Sequence, residues 1–126
     1  MAKILVIEDD ATFVDLLRVH LSSMGHEAQI AEDAAVGLRA IVDGPPDLVL
    51  LDLRIPYLDG LELLEALRSD PATRHIPVIV LTGQSDDAMH AGALKLGVAE
   101  YLTKPVRRER LAKAIERHLA APTKES

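Results

Sequence analysis

Four short, largely apolar runs in this chain end in side chains that can do chemistry. Ile4 to Ile7 leads into Glu8, Asp9 and Asp10, and Leu48 to Leu51 leads into Asp52. Val78 to Leu81 leads into Thr82 and Gly83, and Val98 to Leu102 into Thr103, Lys104 and Pro105. Taken singly, each has a plain structural explanation. Acids after a strand cap the next helix, a threonine is a common strand residue, and a lone lysine is usually solvated. Brought together on one rim, they become a single electrostatic problem. Two carboxylates about 4 Å apart repel by roughly 4 kcal/mol at an effective dielectric near 20, so a cluster of Glu8, Asp9 and Asp52 needs a cation. An all-oxygen donor set favours a hard ion such as Mg2+.

The elements that must position these groups follow from hydrophobic pattern. The runs Ile4 to Ile7, Ala28 to Ile30, Leu48 to Leu51, Val78 to Leu81 and Val98 to Leu102 are short and β-branched, which predicts strands. Helical period fills the gaps. Phe13, Leu16, Leu17, His20, Leu21 and Met24 fall on one helical face, acids precede them as the helix dipole prefers, and Gly25 stands where such a helix stops. His20 on that face reads as a core residue. Further helices are expected over Asp33 to Val42, Leu61 to Arg68, Ser85 to Leu96 and Arg107 to Leu119, the last with Leu111, Ile115, His118 and Leu119 as its stripe. Strands alternating with helices imply βαβ units and a parallel sheet covered on both faces, hence an α/β doubly wound fold. In such sheets functional groups collect outside the carboxyl ends of the strands.

Composition narrows the function. A chain of 126 residues is long enough for one cored domain, expected over residues 1–120, with 121–126 as a disordered tail or truncated linker. Zero cysteines exclude disulfides and thiolate metal sites. A net charge of −6, with Phe13, Tyr57 and Tyr101 as the only aromatics, argues against direct nucleic-acid binding. No apolar run approaches the roughly 20 residues of a membrane helix, so no membrane role and a cytoplasmic location are expected. Nucleotide-binding and serine-hydrolase motifs are absent. Arg107, Arg108, Arg110, Lys113 and Arg117 make the last helix basic.

The fragments ILVIEDD, LVLLDLRIPYLDG, VIVLTG and YLTKP, in this order and spacing, resemble the receiver (CheY-like) domain of the two-component response regulator family, from Lys3 to about Leu119. The resemblance implies a flavodoxin-like five-stranded parallel sheet of order 2-1-3-4-5 flanked by five helices. It also implies a phosphorylation-activated switch rather than an enzyme. Asp52 would accept a phosphoryl group from a sensor histidine kinase or histidine phosphotransfer protein. Asp9 and Asp52 would hold Mg2+ directly, Glu8 through water, and Arg54 through its backbone carbonyl. Thr82 and Lys104 would bind phosphoryl oxygens, and Thr82 and Tyr101 would carry the switch. Arg54 and Gln84 would tune the lifetime of the acyl phosphate, and Lys104-Pro105 would be a cis peptide. Downstream stands a protein target or output domain, contacted through the fourth helix, fifth strand and fifth helix, with a homodimer through that surface as a further option.

Departures from the family pattern are small. Glu8 replaces the commoner Asp, Gly83 stands where Ala is common, and Arg54 is bulky beside the site. Two other readings compete. A Mg2+-dependent aspartyl phosphohydrolase would want an acid two residues after the nucleophile, where this chain has Arg54. A degenerate receiver could serve as a constitutive protein-binding module, although every key position is filled.

Overall fold

The computed structural model describes residues 2–54, 60–83 and 87–119. Five strands, β1 (Lys3–Ile7), β2 (Glu27–Ala31), β3 (Leu48–Leu51), β4 (Val78–Thr82) and β5 (Glu100–Thr103), pair in parallel in the order β2-β1-β3-β4-β5. The connecting helices are α1 (Ala11–Ser23), α2 (Ala34–Asp43), α3 (Gly60–Ser69), α4 (Asp87–Lys95) and α5 (Arg108–His118). This is the doubly wound, flavodoxin-like arrangement expected.

Side chains alternate across a strand, so even an unbroken apolar run divides between two cores. Leu5, Ile7, Val49, Leu51, Val78 and Val80 pack with Ile41 of α2, Leu63, Leu64 and Leu67 of α3, and Ala93 of α4. Their neighbours Ile4, Val6, Leu48, Leu50, Ile79 and Leu81 pack with Leu17 and Leu21 of α1 and with Leu111, Ala114 and Ile115 of α5. Burying one such side chain is worth about 1.5–3 kcal/mol. All four residues of β3 are no more than 1% exposed. The residue that follows them, Asp52, therefore stands at the end of a fully buried strand.

Caps fix the helix ends. Asp10 caps α1 by accepting from the Thr12 and Phe13 amides, and Asp33 caps α2 by accepting from the Val36 amide. Gly25 follows α1 with φ +85°, a conformation that disfavours a β-carbon. Gly60 is needed for a different reason. A Cβ there would come within 2.5 Å of the Leu53 Cα, so the start of α3 lies directly against the chain one residue past Asp52.

Three expectations are corrected. α1 buries Val14, Leu17 and Leu21, leaving Leu16 at 42% exposure and His20 half-buried, because the helix turns Val14 rather than Leu16 inward. β5 starts at Glu100 rather than Val98, whose amide donates to the Ala93 carbonyl and closes the end of α4 instead. His118 does not belong to an apolar stripe, since its Nε2 lies 2.8 Å from Glu100 Oε1, and Ala114 takes the inward position. Gln84, Ser85 and residues 121–126 lie outside the described residues.

Candidate functional site

The three central strands end side by side, which brings the acids together. Glu8 follows β1, where its amide donates to the Ala31 carbonyl at 3.0 Å. Asp52 follows β3, with its amide bonded to the Ile7 carbonyl at 3.1 Å and its Oδ1 accepting from the Arg54 amide at 2.9 Å. Backbone thus holds both ends of the Asp52 residue. Glu8 and Asp52 are buried, at 2% and 7% exposure, while Asp9 faces solvent. One carboxylate oxygen from each of Glu8, Asp9 and Asp52 lies within 4.8 Å of the others.

The cation that such a cluster requires arrives from β5. The Lys104 ammonium sits 2.7 Å from Glu8 Oε1 and 3.2 Å from Asp52 Oδ2. Its backbone is tied to β4, since the Lys104 amide donates to the Thr82 carbonyl at 2.7 Å. The Lys104-Pro105 bond is cis, as expected. The ammonium also lies 4.3 Å from the centre of the Phe13 ring. Burial pushes the Glu8 carboxyl above its ordinary value, with the Asp52 charge adding to the rise, against the opposing bonds from Lys104 and the Asp10 amide. Burial alone would lower Lys104, but its bond to Glu8 and the charges of Asp52 and Glu8 outweigh this and hold it above the ordinary lysine value. Both Glu8 oxygens are occupied, Oε1 by Lys104 and Oε2 by the Asp10 amide at 3.0 Å.

Thr82 ends β4, the next strand over, and is only 1% exposed. Tyr101 lies on β5 in register with Val80, half-buried. Its ring stacks on His90 of α4 with centroids 4.0 Å apart and planes at 14°. Arg54 is exposed beside the acids. The structure therefore joins Glu8, Asp9, Asp52 and Lys104 in one cluster, sets Thr82 at the end of the adjoining strand, and holds Tyr101 against α4. Two contacts were missed in the sequence. Phe13 reads as one more apolar residue on α1, although its place four residues after Asp9 was a signal that it stays near the acids. For His90 against Tyr101 the spacing gave no signal.

Comparison with known proteins agrees with this geometry. The family model described as response regulator receiver domain matches residues 4–116. The DNA-binding dual master transcriptional regulator RpaA of Synechocystis is 39% identical over 107 residues, covering 83% of this chain and 44% of that protein. Protein PilH of Pseudomonas aeruginosa is 35% identical over 120 residues, covering 95% of this chain and 99% of its own length. This chain thus spans less than half of the first relative and nearly all of the second. Among solved structures, the receiver domain of a sensor histidine kinase from Pseudomonas aeruginosa superposes with a TM-score of 0.85 at 27% identity, covering 93% of this chain and 96% of that one. That structure holds a magnesium ion coordinated in its active-site cleft.

Proposed function

This chain belongs to the response regulator receiver family, and we propose that it acts as a signalling switch whose Asp52 accepts a phosphoryl group. One observation carries the reading: the Lys104 ammonium, from the end of β5, closes onto Glu8 and Asp52 at the ends of β1 and β3. A carboxylate on a fully buried strand, with its amide and one oxygen tied to backbone, is a positioned nucleophile. An Asp52 oxygen forms a bond to the phosphorus of a phosphohistidine while the phosphorus–nitrogen bond breaks, and the electron pair leaves with the imidazole. The Lys104 ammonium and the Thr82 hydroxyl bind phosphoryl oxygens, and charge stabilisation of this kind accounts for most of the catalysis in phosphoryl transfer.

Three carboxylates within 4.8 Å and no sulfur or imidazole among them suit Mg2+. Asp9 and Asp52 would hold the ion directly, with the Arg54 backbone carbonyl. Glu8 would act through water, in keeping with the engagement of both its oxygens by Lys104 and the Asp10 amide. The ion would supply positive charge to the phosphoryl oxygens. Arg54 and Gln84, each two residues beyond a key side chain, would govern how water reaches the acyl phosphate.

The proposed donor is a sensor histidine kinase or a phosphotransfer protein, and the proposed location is the cytoplasm. Among the described residues no helix is long and apolar enough to cross a membrane. The readout surface is α4, β5 and α5, facing a protein target or output domain, or a second copy of the chain. Acetyl phosphate with Mg2+ separates the three readings. A switch gains one phosphoryl group per chain and keeps it for a measurable time. A phosphohydrolase releases inorganic phosphate continuously, and a constitutive binding module does neither.

A further inference from the structure

Lysine carries a flexible four-carbon stem and a compact charge, so an ammonium that must serve a transferring phosphoryl group has to be confined. Glu8 and Asp52 confine Lys104 before the reaction, at 2.7 and 3.2 Å. As Asp52 gives an oxygen to phosphorus, its negative charge passes into the new bond and its pull on the ammonium weakens. Until the phosphoryl oxygens take over that pull, the ammonium is held by Glu8 and by the ring of Phe13, 4.3 Å away. An aromatic face attracts a cation through its quadrupole. It adds no further negative charge to a site already holding three carboxylates, and it does not compete as an anion with the incoming phosphoryl oxygens. Phe13 is partly buried against the core that α1 and α5 cover, and its amide is bonded to the capping carboxylate of Asp10.

We propose that Phe13 is a positioning residue for phosphotransfer, retaining the Lys104 ammonium over the site while Asp52 changes from carboxylate to acyl phosphate. The inference rests on phosphorylation of Asp52. Its role is electrostatic rather than volumetric, and one feature of the sequence makes that testable: Phe13 is the sole phenylalanine of the chain. Growth on fluorinated phenylalanines therefore alters this ring alone, draining its quadrupole stepwise from one to three fluorines with little change of shape.

The experiment compares the rate of phosphorylation by acetyl phosphate at fixed Mg2+ for the native chain, the fluorinated chains, Phe13→Tyr and Phe13→Leu. We expect a graded fall with fluorination, near-native rates for Phe13→Tyr, and a loss of about two- to thirtyfold for Phe13→Leu, the span of a cation–π contact from exposed to desolvated. In a Lys104→Ala background the same Phe13→Leu change should have no further effect. A readout independent of phosphorylation is the proton spectrum, in which the Lys104 ε-methylene resonance should lie upfield in the native protein and return to its ordinary position in Phe13→Leu. Native phosphorylation with rates indifferent to fluorination would overturn the role of Phe13 alone. A native chain that takes up no phosphoryl group would overturn both this inference and the function on which it rests.

Discussion

At Asp52 the physical tension is between repulsion and attraction. Its carboxylate is crowded by those of Glu8 and Asp9, within 4.8 Å, and relieved by one ammonium at 3.2 Å. Without a divalent ion the cluster keeps more negative than positive charge, so removing one carboxylate relieves repulsion that Lys104 does not fully offset. Asp52→Asn should therefore be more stable than the native protein without Mg2+, by on the order of 1 kcal/mol in urea unfolding. Lys104→Ala, which leaves the buried Glu8 and Asp52 charges without their cation, should be clearly less stable. Adding Mg2+ should stabilise the native chain more than Asp52→Asn, because a ligand that binds only the folded form raises its stability by mass action. Equal stabilisation of both would count against Asp52 as a metal ligand.

Among the elements, β5 gathers three side chains of α5 onto one carboxylate, that of Glu100. Glu100 Oε2 accepts from Arg110 at 3.0 Å and from Arg117 at 2.7 Å, while Oε1 faces His118 at 2.8 Å. Burial alone would raise the Glu100 carboxyl, but the bonds from Arg117, His118 and Arg110 outweigh it and bring it from 4.5 down to about 2. A depressed carboxyl stabilises the fold fully above its unfolded value and loses that contribution as pH falls through the folded one. The window is therefore from about pH 4.5 down to about 2. The contribution is no more than about 3 kcal/mol, and less once the half-exposed arginines are screened by water. Thermal unfolding across that range should fall more steeply for the native chain than for Glu100→Gln. Parallel curves would mean that the cluster contributes nothing measurable.

The same elements indicate what the sequence could and could not disclose. Strand existence and the rim acids were legible because buried parallel strands read as continuous apolar runs whose ends stand out by type, as at Leu51 and Asp52. Which face of α1 turns inward was not, because Val14 and Leu16 both fit an apolar stripe and only the docking of the helix on Ile4, Val6 and Leu50 chooses between them. His118 fits the stripe by spacing alone, because helical spacing takes no account of a partner 18 residues earlier, on a strand. The contact between Phe13 and Lys104 joins residues from opposite ends of the chain, so it becomes visible only when β1 and β5 are placed.

At the scale of the whole molecule, the proposed switch must carry a change at the acidic rim to the surface of α4, β5 and α5. Moving a two-state equilibrium from 1:99 to 99:1 requires about 5.5 kcal/mol of differential interaction. One charge-assisted hydrogen bond supplies roughly 1.5 to 3 kcal/mol, so Lys104 alone is too little, while Lys104 and Thr82 together come close. Thr82 is suited to report inward because it is buried at the end of β4, and Tyr101 to report outward because its half-buried ring already rests on His90 of α4. Drawing Thr82 toward a phosphoryl group would open room into which that ring could turn, changing the face presented to a partner. Thr82→Ala should still accept a phosphoryl group yet bind its partner no better than the unphosphorylated protein. A full rise in affinity on phosphorylation of Thr82→Ala would remove Thr82 from the pathway. The most direct measurement of the account as a whole is the intact mass of the native chain and of Asp52→Asn after incubation with acetyl phosphate and Mg2+. The account predicts the added mass of one phosphoryl group on the native chain and none on Asp52→Asn, whereas the same addition on Asp52→Asn would contradict it.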